Sequence, residues 1–301
     1  MSTLPSPSVP LPDVADAQVV VPAPGEGPGH WAGAPSAWFD DGAYHLAYRV
    51  RRPVDDGRGF AVTVARSLDG LTFETVAQIA RDSFGAASLE RPALVRRPDG
   101  GWRIYISCAT PGSKHWWIDA LDADSPDAFD AARRTTVWAG DADTATKDPV
   151  VVVGPDGWEA WVCCHPLTEP GEEDRMVSRR AVSDDGIVWR WTGEELRGTP
   201  GTWDQRGARV THVVPGTGTL LYDGRASAAE NWEERTGLAS FEPGADAHAL
   251  TDEPVAQSPA SSGSLRYATG VVLPDGSHRL YYEVARPDGA HDLCTQLVAG
   301  A

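Results

Sequence analysis

Residues 91–108 read RPALVRRPDGGWRIYISC. An apolar, β-branched run meets Pro98-Asp99-Gly100, and a second apolar run follows. Asp-Gly between two such runs signals a hairpin, because the tight turn needs positive φ, which glycine adopts without steric cost. The unit recurs. Its turn reads FDDG ending at Gly42, RPDG at Gly100, GPDG at Gly157, PGTG at Gly218 and LPDG at Gly276. The intervals are 58, 57, 61 and 58 residues. Such a period along 301 residues predicts an all-β fold, a five-bladed β-propeller of four-stranded antiparallel blades.

The whole chain, 1–301, reads as a single domain. Its blades are expected near 34–80, 90–140, 147–197, 206–252 and 264–301. The fourth blade has only a weak outer strand near HALT, and the fifth lacks one altogether. A spare run, AQVVVPA at residues 17–23, is predicted to pair onto blade five and close the ring. A second recurring turn supports the register. SLDGLTF (Ser67–Phe73) and SDDGIVW (Ser183–Trp189) both fall between the third and fourth strands of their blades.

Composition narrows the function classes. A net charge of −17 gives no basic face for nucleic acid. No 18-residue apolar run spans a membrane. The N-terminus, MSTLPSPSVPLPDV, lacks the basic and apolar regions of a secretory leader, which points to the cytoplasm. Cys108, Cys163, Cys164 and Cys294 show no metal-site spacing and read as reduced thiols. Most of the twelve Trp are expected between blades, with a few free to face a sugar ring. Neither a Gly-rich phosphate loop nor a G-x-S-x-G elbow is present, and no cofactor is expected. His30, His115, His165 and His291 have no ligand spacing that would argue for a metal. The oligomeric state is not legible.

In a propeller, the start of each first strand and the end of each second strand meet at one mouth of the central channel. Charged residues recur there in phase with the repeat. A carboxylate pair in a sugar-sized cavity suggests glycoside hydrolysis, one carboxyl donating a proton while the other activates water or attacks carbon. Glu90 and Asp148, taken as equivalent positions of adjacent blades, are the first catalytic candidates. Asp204, Asp223, Glu233 and Glu234 are the reserve acids of blade four, and of these Glu234 is the third catalytic candidate. Expected ligand-binding residues are His30, Trp31, Arg91, Trp116, His165, Arg209, Asp223, Arg225, Arg266, Tyr267 and His291. The arginines either suit a carboxylate or phosphate on the ligand, because the guanidinium fork is bidentate, or hold the channel acids in place, and the similar count of acids and bases does not choose between the two.

The repeat, the S-x-D-G-x-x-W/F turns and the dipeptides Glu90-Arg91-Pro92 and Lys147-Asp148-Pro149 resemble the propeller superfamily of glycoside hydrolase families 32, 43, 62, 68, 117 and 130. That resemblance implies a sugar-like ligand in the channel and acids contributed by separate blades. In families 32 and 43 one Asp comes from the first strand of blade one. This chain has GAPSAW there, with Ala34 at the place of that acid. Two readings follow. One is a glycosidase-like enzyme with a rearranged acid set, acting on a small sugar or sugar-like substrate, neutral or anionic. The other is a propeller without hydrolysis, either a sugar-binding protein or a lyase, cyclase or isomerase.

Overall fold

A computed structural model describes residues 9–260 and 262–300. Blade one contains β2 (Trp31–Asp40), β3 (Ala43–Arg51), β4 (Gly59–Ser67) and β5 (Glu74–Ala80). Blade two contains β6 (Leu89–Arg96), β7 (Trp102–Ala109), β8 (Trp116–Ala123) and β9 (Thr135–Trp138). Blade three contains β10 (Thr144–Gly154), β11 (Gly157–Pro166), β12 (Val177–Ser183) and β13 (Arg190–Arg197). Blade four contains β14 (Gly207–Val214), β15 (Thr219–Arg225), β16 (Arg235–Ser240) and the two-residue β17 (His248–Ala249). Blade five contains β18 (Leu265–Val272), β19 (His278–Ala285) and β20 (His291–Val298). Its fourth strand is β1 (Gln18–Val21), antiparallel to β20 with Gln18 opposite Thr295. The closing strand therefore lies where the spare N-terminal run predicts it, and it covers an edge that would otherwise offer unpaired backbone groups.

Each of the five turns joins the first strand of a blade to its second. Gly42, Gly100, Gly157, Gly218 and Gly276 all have positive φ, between 66° and 120°. The two S-x-D-G turns are built alike. The Ser67 hydroxyl accepts from the Gly70 N–H, and the Asp69 carboxylate accepts from Leu71 and Thr72 N–H. Ser183 and Asp185 repeat these bonds to Gly186, Ile187 and Val188.

The core is a set of five clusters, one at each junction between consecutive blades. Val62 and Val64 meet Ile104 and Ile106; Ala93 and Ile118 meet Ala160 and Val162. Trp161 and Leu196 meet Val210 and Tyr222; Val214 and Leu221 meet Leu280 and Tyr282. Leu46 and Tyr44 then meet Tyr281 and Leu293, which brings blade five against blade one. Trp102, Trp138, Trp158, Trp161 and Trp203 are buried in these clusters, as the Trp count suggested. All four cysteines are buried and unbridged. Among the described residues, no helix is long and apolar enough to cross a membrane.

Candidate functional site

The site begins with an irregularity shared by the innermost strands. Each has a bulge near its start: in β2 between Gly33 and Ser36, in β6 between Leu89 and Pro92, in β10 between Lys147 and Val150, in β14 between Val210 and His212, and in β18 between Arg266 and Thr269. A bulge sets extra residues against one partner and re-aims their side chains. Ala34, Asp148 and Tyr267 sit in these bulges with φ of 51°, 50° and 57°, left-handed values unusual for non-glycine residues.

The backbone N–H of each is caught by the second strand of the preceding blade. Glu283 Oε2 accepts from Ala34 N at 3.1 Å, and Ser107 Oγ accepts from Asp148 N at 2.8 Å. Both Asp223 oxygens accept from Tyr267 N, at 3.0 and 3.1 Å. The repeat thus supplies a donor and an acceptor at each of these three junctions, and none of these three backbone N–H groups is left orphaned.

The pairing also fixes which residues are equivalent. Gly33 lies opposite Arg49, Lys147 opposite Cys163, Arg209 opposite Asp223 and Arg266 opposite Glu283. Leu89 pairs with Cys108, so Glu90 falls at the same level as Lys147, and Arg91 at the level of Asp148. The expectation that Glu90 and Asp148 are equivalent is therefore corrected by one residue. The prolines Pro35, Pro92 and Pro149 mark the true alignment, and it matches Ala34, Arg91 and Asp148. The position of the missing blade-one acid is thereby the position of Asp148. Its surroundings are occupied from the other side: a Cβ on the adjacent Gly33 would come within 2.0 Å of Glu283 Oε2.

The residues just before the bulges converge on a small polar cavity of about 40 Å³. Seven cationic side chains line it: Arg49, Arg51, Arg58, Lys147, Arg209, Arg225 and Arg266. Only two carboxylates do, Glu90 and Glu234. His165, Tyr267 and Trp232 complete most of the wall.

Every channel acid is locked into arginine pairs. Glu90 lies 3.0 Å from Arg49 and 3.1 Å from Arg51. Glu234 lies 2.5 Å from Arg225 and 2.8 Å from Arg266. Glu283 joins Arg49 (2.8 Å) to Arg266 (2.7 Å) and takes a 2.8 Å bond from His291 Nδ1. Arg209 bridges Asp148 (3.1 Å) and Asp223 (2.7 Å), with its guanidinium 3.9 Å from the Tyr267 ring centre.

Burial opposes ionisation of these acids, and the neighbouring cations outweigh it. The balance holds Glu90 and Glu234 below the usual glutamate range, against Arg49 and Arg51 in one case and Arg209 and Arg266 in the other. Asp148 is lowered likewise by Lys147 and Arg209. Asp223 is the exception: burial, aided by nearby Glu234, raises it to about 6. Burial with Lys147 alongside lowers His165 to about 3, so its ring is neutral, and its Nδ1–H donates to the Glu173 carbonyl at 2.8 Å.

Of the expected site residues, Glu90, His165, Arg209, Arg225, Glu234, Arg266 and Tyr267 line the cavity together. Asp148, Asp223 and His291 lie in the layer behind it. Trp31 is also behind, stacked on His291 at 4.9 Å, with the Arg51 and Arg266 guanidinium groups over its ring. Trp116 is half-buried beneath Lys147, whose ammonium lies 5.0 Å from its ring centre. These five do not line the cavity, and two more expected residues lie away from it altogether. His30 does not line the cavity; its ring packs against Gly25 in the closure loop. Arg91 leaves the mouth altogether, because the bulge turns it toward the channel's other end, where it donates to the Pro35 and Thr211 carbonyls. Arg51, Arg58 and Trp232 lay outside the expected set. Arg51 extends β3 beyond its apolar run, and Trp232 lies in the connection before β16, where no periodicity marks it.

No protein-family model matches the chain, and no curated protein sequence does. Solved structures do. An α-L-arabinofuranosidase from Lactobacillus brevis is 19% identical, with a TM-score of 0.64, covering 88% of this chain and 90% of its own. A GH43_1 enzyme from Xanthomonas citri, complexed with xylotriose, is 15% identical, with a TM-score of 0.66 and coverage of 95% and 92%. A β-1,2-mannobiose phosphorylase from Listeria innocua, complexed with β-1,2-mannobiose, is 14% identical, with a TM-score of 0.63 and coverage of 96% and 92%. The chain carries the propeller fold that these structures share.

Proposed function

We propose that the chain is a glycoside-hydrolase-like propeller whose channel mouth holds a small anionic sugar or sugar-like molecule. The observation that carries this reading is the lining: seven cations against two carboxylates, an excess that Asp148, Asp223 and Glu283 behind the wall offset only in part, in a chain whose net charge is −17. Guanidinium groups crowded against one another carry a standing cost in repulsion and desolvation, and an anion relieves both. Arg49 Nη1, Arg51 Nε and Arg225 Nε are buried without a hydrogen-bond partner. The cavity, of about 40 Å³, is too small for a pyranose ring and takes no more than an oxygen of an anionic group. The ring would rest outside, against the exposed Trp232 indole and the Trp116 side of the rim.

The locked acids favour the reading without hydrolysis over the one with it. General acid catalysis needs a carboxyl that stays protonated near neutral pH. Glu90, Asp148 and Glu234 are all pushed the other way, and Asp223 is held by Arg209 and the Tyr267 N–H. A carboxylate fixed by two arginines serves as scaffold for the cations that face the ligand. The reading therefore assigns Glu90, Asp148 and Glu234 to positioning, and recognition to Arg51, Arg58, Arg225, Lys147 and the rim indoles.

Nitrophenyl glycosides, neutral and uronic, test the choice. The expected result is no nitrophenol release by the wild type, with a thermal upshift from glucuronate and none from glucose. Turnover that disappears in both Glu90→Gln and Asp148→Asn would restore the hydrolytic reading. Equal upshifts from both sugars would remove the anionic one.

A further inference from the structure

The larger cavity in the channel is at its opposite end. A groove of about 430 Å³ is formed there by the far halves of the five innermost strands. Its wall includes Trp38 and Phe39 of β2, Leu94 of β6, Val152 of β10, Val213 of β14 and Val271 of β18. The volume is within the range of small-molecule sites, and the lining is of the apolar kind that such sites use.

One charge faces this apolar wall. Arg91, only 2% exposed, is among the lining residues. Two of its nitrogens donate to backbone carbonyls, Nε to Pro35 at 3.3 Å and Nη2 to Thr211 at 2.6 Å. Its Nη1 is buried and has no partner. No carboxylate lies within ion-pair distance of it among the described residues, in contrast to the mouth, where Arg49, Arg209, Arg225 and Arg266 are each paired. Burial lowers Arg91 to about 10 against the Asp148 and Asp223 carboxylates, which lie beyond ion-pair distance and hold it up, and it stays cationic at neutral pH. The other titratable group of the wall, His212, is lowered to about 3 by burial beside Arg91, so it adds no charge. An unpaired buried cation at the base of an apolar groove is costly, and it is complementary to one kind of molecule.

We infer that this groove is a second binding site, separate from the mouth, for a small carboxylate with an apolar aryl or alkyl body. The carboxylate meets the Arg91 guanidinium and the body lies along Leu94, Val213 and Val271. The inference is independent of what the mouth binds, since it uses different residues at the other end of the channel.

Isothermal titration with 3-phenylpropionate, and with 3-phenylpropionamide as its uncharged counterpart, tests it on the full chain. The wild type is expected to bind the acid at sub-millimolar concentration and the amide at least tenfold more weakly. Arg91→Gln removes the charge. Because that change may perturb the bulge, Val152→Trp provides a second test: Val152 is partly exposed, so an indole there fills the groove without entering the core. Both variants should lose the acid by tenfold or more, with the Val152→Trp melting temperature kept. Equal binding of acid and amide, undiminished binding by Val152→Trp, or no binding by the wild type at millimolar acid would each overturn the inference.

Discussion

At the residue scale, the pocket depends on small groups whose role the sequence does not reveal. Ser107 looks ordinary in WRIYISC, yet its hydroxyl accepts from Asp148 N and donates to the Arg91 carbonyl at 3.1 Å. Ser107→Ala leaves the Asp148 N–H orphaned in a fully buried bulge. It should cost about 1–3 kcal/mol, read as a lower denaturation midpoint with an unchanged slope. A variant as stable as wild type would show that this bond does not hold the bulge. The in-phase charges were legible because chemistry-bearing residues recurred at one level of the repeat. Their pairing was not, because which acid meets which arginine depends on bulge geometry and on contacts between blades. Arg91 illustrates the limit: adjacent to Glu90 in sequence, it faces the other end of the channel. Pro92, aligned with Pro35 and Pro149, was the one available signal.

At the element scale, the hairpins were legible in full, since Asp-Gly turns are local chemistry. Gly100 has φ of 87° and open space around its missing Cβ. Gly100→Ala therefore carries backbone strain alone, about 1–2 kcal/mol. Gly207→Ala should cost clearly more, because a Cβ there would lie 2.4 Å from the Met176 backbone nitrogen. Paired denaturation curves check the order, and equal losses would contradict it. The closing strand is a second prediction. A chain starting at residue 23 lacks β1 and exposes the edge of β20. It should melt lower and form larger species in size-exclusion chromatography, whereas a monomer with unchanged melting would show that β1 does not secure the ring.

At the scale of the whole molecule, buried titratable groups set the acid response. His45, His165 and His212 are lowered from 6.5 to about 4, 3 and 3 by burial. The unfolded chain takes up these protons first, so their stabilising contribution is complete above pH 6.5 and is lost as pH falls toward those values. The paired carboxylates Glu90, Asp148 and Glu234 add a further loss below the ordinary carboxylate range. Asp223, raised to about 6, acts in the opposite sense, its contribution being present below 3.8 and lost as pH rises through 6. Three histidines outweigh one aspartate, so the melting temperature should fall steadily from pH 7 to pH 4.5. His165→Asn should flatten that slope. A flat profile for the wild type would contradict the assignment.

The same bookkeeping of charge gives the ring its proposed role. An acidic chain concentrates cations from blades one, three, four and five at one level of the channel, and each acid present there is already committed to an arginine. Isothermal titration of glucuronate against glucose, in low and high salt, puts this to the most direct test. The wild type should bind glucuronate at least tenfold more tightly than glucose, with the preference weakened by salt and by Arg51→Gln. Equal affinity for the two sugars, or a preference that Arg51→Gln and salt leave untouched, would contradict it.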